Sequence, residues 1–172
     1  EMARNFANKV WNASRFVLMN LTIDRCELPA AEKLEREDKW ILSRLNKLIK
    51  EVTENLESYE IGVASAKVYD FLWDTFCDWY IELTKTRLNG EDREANLTAQ
   101  NVLCYTLIQL LKLLHPFMPF ITEEIYQALP HGDEFIMTSA WPEYREDLDF
   151  PQEESAMESV METIGAIRAR RA

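Results

Sequence analysis

The sequence predicts an all-α fold, a helical bundle of five to six helices. Apolar residues recur at helical spacing along most of the chain. Four Gly and six Pro in 172 residues leave too little turn chemistry for an all-β fold. An apolar content of 47%, with five Trp, six Tyr and eight Phe, supplies a core for those helices to share. The length suits one domain, residues 1–172. Within it a bundle spans about 1–130, and an extended segment and a C-terminal helix span about 131–172. The chain opens and closes inside helical patterns, so it reads as a truncated piece of something longer.

The first helix covers roughly residues 1–20. Thr22 to Glu37 is a mixed-charge connector broken by Pro29. The second helix starts near Asp38, whose carboxylate suits a helix N-terminus, and its apolar stripe is Ile41, Leu42, Leu45, Leu48, Ile49, Val52 and Leu56. The third runs from about Ile61 to Leu88, with a broad aromatic face, and ends at Asn89-Gly90. Its Asp70, Asp74, Asp78 and Glu82, at four-residue spacing, are expected to drift around the helix as a solvated polar face rather than gather at a metal. The fourth, about Glu94 to Leu114, is apolar nearly all round and should be the central helix. His115-Pro116-Phe117-Met118-Pro119 forces a corner, with His115 a hydrogen-bonded structural residue. Pro119 opens a short fifth helix to Leu129, with Glu123 and Glu124 near its positive end. A turn at 130–133 follows, then an extended excursion over 135–144. A last helix from about Gln152 sets Met157, Val160, Met161, Ile164 and Ile167 on one face.

The net charge is −11, unevenly spread. Residues 1–50 hold ten Lys/Arg against seven Asp/Glu, whereas residues 51–167 hold six against twenty-three. Arg168, Arg170 and Arg171 restore positive charge at the end. Any nucleic-acid contact must therefore be local and selective, with little long-range attraction behind it. Cys26, Cys77 and Cys104 are odd in number and widely spaced with no CxxC or Cys/His cluster, which suggests neither a disulfide frame nor a zinc site and fits reduced thiols in a cytoplasmic protein. The apolar stretch from Val102 to Ile121 is broken by Lys112, Pro116 and Pro119, so it suits a buried helix and a bend rather than a membrane span. No phosphate loop or nucleophile elbow is present, and no catalytic residue, cofactor site or metal site is predicted.

The first helix holds the best functional clue. At about 100° per residue, Phe6, Val10, Trp11, Ala13, Val17 and Leu18 gather on one side. Asn5, Asn8, Lys9, Asn12 and Asn20 gather opposite, and Phe16 falls among them. An aromatic ring framed by amides and a cation suits stacking on an unpaired base, with Lys9 and Arg15 as phosphate contacts. The bland alternative is that another segment covers the ring.

The segments RNFANKVWNASRFVLMNL, DKWILSRLNKLI, VYDFLWDTFCDWYIELTK and HPFMPFITEEIYQALP, with WPEY and AIRARR, resemble in order the anticodon-binding domain of valyl-tRNA synthetases, in class Ia. The HPFMPF corner and WILSRL helix are shared with isoleucyl and leucyl enzymes, whereas NKVWNASRF with CDWYIELTK resembles the valyl branch. The resemblance implies an all-helical domain that receives the anticodon stem-loop of valine tRNA. It implies a parent that uses ATP, a catalytic domain and a C-terminal coiled coil in the same polypeptide, and no catalysis by this stretch alone. By position it assigns tRNA contacts to Lys9 and to Phe16 as the stacking aromatic; Asn5, Asn12 and Arg15 are added on geometry. The rival expectations are the equivalent isoleucyl or leucyl domain, or a helical protein-interaction scaffold without RNA.

Overall fold

The computed structural model describes residues 2–171. Glu1, Ala172 and the side chains of Met2, Ala3 and Arg171 lie outside the described residues. In order come α1 (Met2–Asn20), α2 (Arg36–Glu57), α3 (Ile61–Asp70), a π-helical segment (Phe71–Tyr80), α4 (Ile81–Leu88), α5 (Arg93–Leu114), α6 (Pro119–Ala128) and α7 (Pro151–Arg171). Residues 61–88 form one continuous rod, so the bundle has six helices and no β-strand among the described residues. α5 lies at the centre, touching α1, α2, α3, α4 and α6. It buries Val102, Leu103, Leu107, Leu110, Leu111, Leu113 and Leu114, as its all-round apolarity predicts. By length and composition it is apolar enough to cross a membrane, yet most of it is inside the bundle.

The rod departs from expectation. In a uniform α-helix a four-residue repeat drifts about 40° per step, or about 200° over the five steps from residue 64 to 84. Instead Ala64, Val68, Leu72, Phe76, Tyr80 and Thr84 are all at most 1% exposed. Ala66, Asp70, Asp74, Asp78, Glu82 and Thr86 are all exposed. The π segment explains this: its i→i−5 bonds, such as Ile81 N–H to Phe76 O, take in more residues per turn and hold the repeat in line. The carboxylates therefore form one straight outward stripe rather than a drifting one. The two intermediate rows become flanks, one towards α1 and the other towards α2 and α7.

The rod's far end is tied to α2 by a buried charge cluster. Asp38, fully buried, accepts the Tyr80 hydroxyl at 2.6 Å and both terminal nitrogens of Arg87 at 2.7 Å. It also accepts the Glu35 N–H at 3.0 Å, closing a capping box at the start of α2. Burial and the adjacent Asp38 push the Tyr80 hydroxyl pKa well up. Burial works against the Arg87 charge, but its hydrogen bonds and the Asp38 carboxylate outweigh that and raise its pKa. On the other side of α2, Ser43 donates to Glu154 and accepts the Phe150 N–H, and Asn46 exchanges two hydrogen bonds with the Arg145 backbone. These staples place α7 along α2.

At the proline corner, His115 Nδ1 lies 2.8 Å from Thr122 Oγ1. Glu123 sits deeper in α6 than the first turn and accepts the Ile136 N–H at 3.1 Å, bracing the following segment. The excursion over 135–144 is extended at Phe135 and Ser139 but broken by a 3-10 turn, Ile136–Thr138, with another at Glu146–Leu148. Trp11 and Leu18, expected inward, stand to the side of α1's buried Phe6, Val10, Ser14 and Val17; Trp11 is 43% exposed. Of the apolar face expected on α7, Met157 is buried, beside Glu154 from the preceding turn, while Val160 and Ile167 are exposed.

Two stability measurements follow. Phe76→Ala should cost about 3–5 kcal/mol by urea unfolding, and Asp74→Ala, two residues away, should stay within about 0.5 kcal/mol. Equal effects at the two positions would contradict the four-residue alignment. Asp38→Ala, which leaves the mostly buried Arg87 charge with Glu37 at 3.3 Å as its remaining acidic partner, should cost about 3–5 kcal/mol, against about 1 kcal/mol for Tyr80→Phe. A small Asp38→Ala effect would mean that the cluster holds nothing together.

Candidate nucleic-acid interface

The α1-facing flank of the rod is Ser65, Tyr69, Trp73, Cys77, Ile81 and Lys85, the residues that follow the buried row by one. α1 runs in the same direction along it, and the two meet as a seam. Phe6 stacks on Tyr69 with ring centroids 4.4 Å apart, and Tyr69 stacks on Trp73 at 5.7 Å. Next along the seam, Lys9 Nζ sits 3.9 Å from the Trp73 ring centroid and donates to Asp78 Oδ1 at 2.7 Å. Further on, Lys85 Nζ lies 5.7 Å over the Phe16 ring and donates to Glu82 Oε1 at 2.6 Å.

Phe16 is half-buried, packed against the core at the edge of this seam rather than standing in the middle of the polar face. The reason lies in the rod. Phe16 is about 100° round α1 from the centre of its buried stripe, and the neighbour on that side reaches far enough to support the ring. The ammonium above it is Lys85, not Lys9. Lys9 is half-buried and held by Trp73 and Asp78. Asn5, Asn12 and Arg15 are exposed together with Asn8, so α1's outward face is a row of amides with arginine beside it. Among the described residues Arg15 forms no ion pair. Arg168 lies elsewhere, with its guanidinium 5.5 Å from the Trp79 ring on the opposite flank of the rod.

The seam offers recognition rather than reaction. Burial pushes the Cys77 thiol pKa up to about 12 despite the nearby Lys9 charge, so this cysteine is protonated at neutral pH and a poor nucleophile. A flat ring, fixed ammonium groups and exposed amides suit a base and the edges around it. The recess between the connector and α5, about 570 Å³, is lined by Asp24, Glu27 and Asp133 as well as Arg25 and Lys112, so it offers a polyanion no net positive field. Trp73, Asp78, Glu82 and Lys85 were not among the residues expected at this interface. The signal was present: once the rod keeps a four-residue repeat, Trp73 and Lys85 share a flank with Tyr69.

Comparison with known proteins agrees with this architecture. Residues 38–172 match the family model described as the anticodon-binding domain of tRNA ligase. The chain is 54% identical to the valine–tRNA ligase of Clostridium tetani over 98% of its own length and 19% of the relative's. It is 54% identical to that of Clostridium acetobutylicum and 49% identical to that of Lactiplantibacillus plantarum, covering 100% of this chain and 20% of each relative. It thus spans about a fifth of the length of these relatives. Among solved structures it is similar to the Agrobacterium radiobacter K84 agnB2 LeuRS, crystallised as a ternary complex with tRNA and LeuAMS. That likeness has a TM-score of 0.64 at 19% identity, over 87% of this chain and 17% of that one, and it speaks to the fold. By the family match over most of its length and the six-helix bundle beneath it, this chain belongs to the anticodon-binding domain family of tRNA ligases.

Proposed function

We propose that this chain is the tRNA-recognition module of a valine–tRNA ligase and that it receives the anticodon stem-loop of valine tRNA along α1. Identity of about half to valine–tRNA ligases across the whole chain supports the valine assignment. The seam supports the docking face. A ring already braced by the rod loses little freedom when a base stacks on it, which is the economy of a preorganised site. Phe16 is the stacking platform, Lys9 and Lys85 supply charge-assisted contacts, and Asn5, Asn12 and Arg15 reach base edges or backbone beside it. ATP and valine belong to the catalytic domain of the same polypeptide, with a coiled coil as a further domain. The module itself takes no cofactor and performs no catalysis. Its three thiols, none in a disulfide, fit a cytoplasmic enzyme.

Base stacking on an aromatic contributes about 1–3 kcal/mol. Phe16→Ala in the full-length enzyme should therefore lower kcat/KM for charging valine tRNA by about tenfold to a hundredfold. Valine-dependent pyrophosphate exchange, which needs no tRNA, should be unmoved. Unchanged charging kinetics would remove Phe16 from the RNA contact.

A further inference from the structure

Both ammonium groups on the seam are already neutralised from the rod's outward stripe. Lys9 is bonded to Asp78 at 2.7 Å, and Lys85 to Glu82 at 2.6 Å. The arrangement follows from the four-residue repeat, which puts each carboxylate on the row bordering the lysines' flank. Asp70 and Asp74 continue that row beside Tyr69 and Trp73, where no lysine of the seam is paired. A polyanion approaching the seam therefore meets two paired ammonium groups backed by carboxylates, with Arg15 as bare positive charge beside them.

We infer that Asp78 and Glu82 are specificity-determining residues, which withhold sequence-independent attraction for RNA from this face by holding Lys9 and Lys85 as ion pairs. The inference rests on the seam being the RNA face proposed above. Non-specific binding to nucleic acid comes almost wholly from unpaired cations that displace counterions from phosphates. A lysine already paired with a carboxylate contributes little of that attraction, yet its remaining N–H donors can still bond a correctly seated nucleotide. Trp73 and Asp78 fix where the Lys9 donors point, and Glu82 holds Lys85 over Phe16. A stem-loop that stacks on Phe16 meets aligned donors, whereas one that does not stack gains little from these two lysines. The surplus of acid on the rod acts as a filter under this account.

The test measures binding of the full-length enzyme to valine tRNA and to a non-cognate tRNA between about 50 and 200 mM KCl. The comparison covers the wild type, Asp78→Asn/Glu82→Gln, the single variant Asp74→Asn, and Phe16→Ala. Freeing two lysines should steepen the log–log salt dependence by about 1.4–1.8, or about 0.7–0.9 for each lysine. Non-cognate affinity should rise several-fold at low salt, and the cognate-to-non-cognate ratio should fall. Adding Lys9→Gln and Lys85→Gln to the double variant should return the slope to that of the wild type. Asp74→Asn makes a similar charge change one turn away, where no lysine of the seam is paired, and should leave the slope near wild type. An unchanged slope and ratio in the double variant would overturn the inference, as would an equal effect of Asp74→Asn, which would mark a general field. Phe16→Ala separates the two readings. If it leaves cognate binding intact, the seam itself is the wrong face; if it weakens binding while the double variant does nothing, only the filter fails.

Discussion

The structure depends on a mismatch between a four-residue sequence repeat and a 3.6-residue helix. Ala64, Val68, Leu72, Phe76, Tyr80 and Thr84 stay inward over five repeats only because the stretch Phe71–Tyr80 is wound as a π-helix. That winding gives the rod four straight faces. One fills the core, one meets α1 through Tyr69, Trp73 and Lys85, one meets α2 and α7 through Lys67, Trp79 and Arg87, and one is a carboxylate stripe in solvent. A helix of ordinary pitch would carry these residues round by more than half a turn and break the alignment with all of its neighbours.

The consequences reach the proposed RNA face through a short chain of contacts. The buried Asp38–Arg87–Tyr80 cluster ties the rod's far end to α2. The Tyr69–Phe6 stack ties its near end to α1. Between these anchors, Lys9, Phe16, Trp73 and Lys85 sit along one line. The interface is thus built on two rigid helices rather than on loops. A rigid platform of this kind needs little ordering of its own when an unpaired loop docks on it, as the proposed role requires.

Much of this was legible in the sequence where a single helix decides the outcome. The central position of α5, the corner at His115–Pro119 and the buried stripe of α2 all follow from local pattern. Legibility ended where two elements share the decision. Phe16 looks fully polar-faced on α1's own wheel, and only the rod's flank explains why it is half-buried. Trp11 looked inward because the wheel does not say how wide a stripe the neighbours cover; the buried set is the narrower Phe6, Val10, Ser14 and Val17. Lys9 reads as a free cation until Asp78, 69 residues away, is placed beside it. The carboxylate row is visible in the sequence, but uniform α-helical pitch implies a drift that the π segment removes. Family resemblance supplied the valine assignment, which no wheel or charge count contains.

The central claim is that RNA lies along the seam between α1 and the rod. Titrating the nitrogen-labelled chain with the anticodon stem-loop of valine tRNA, and following the five tryptophan indole signals, tests it most directly. The account predicts that the Trp73 indole and the amides around Phe16 shift together and first, while those of Trp79 and Trp141 stay in place. Shifts centred on Trp79 or Trp141, with Trp73 and Phe16 unmoved, would contradict it.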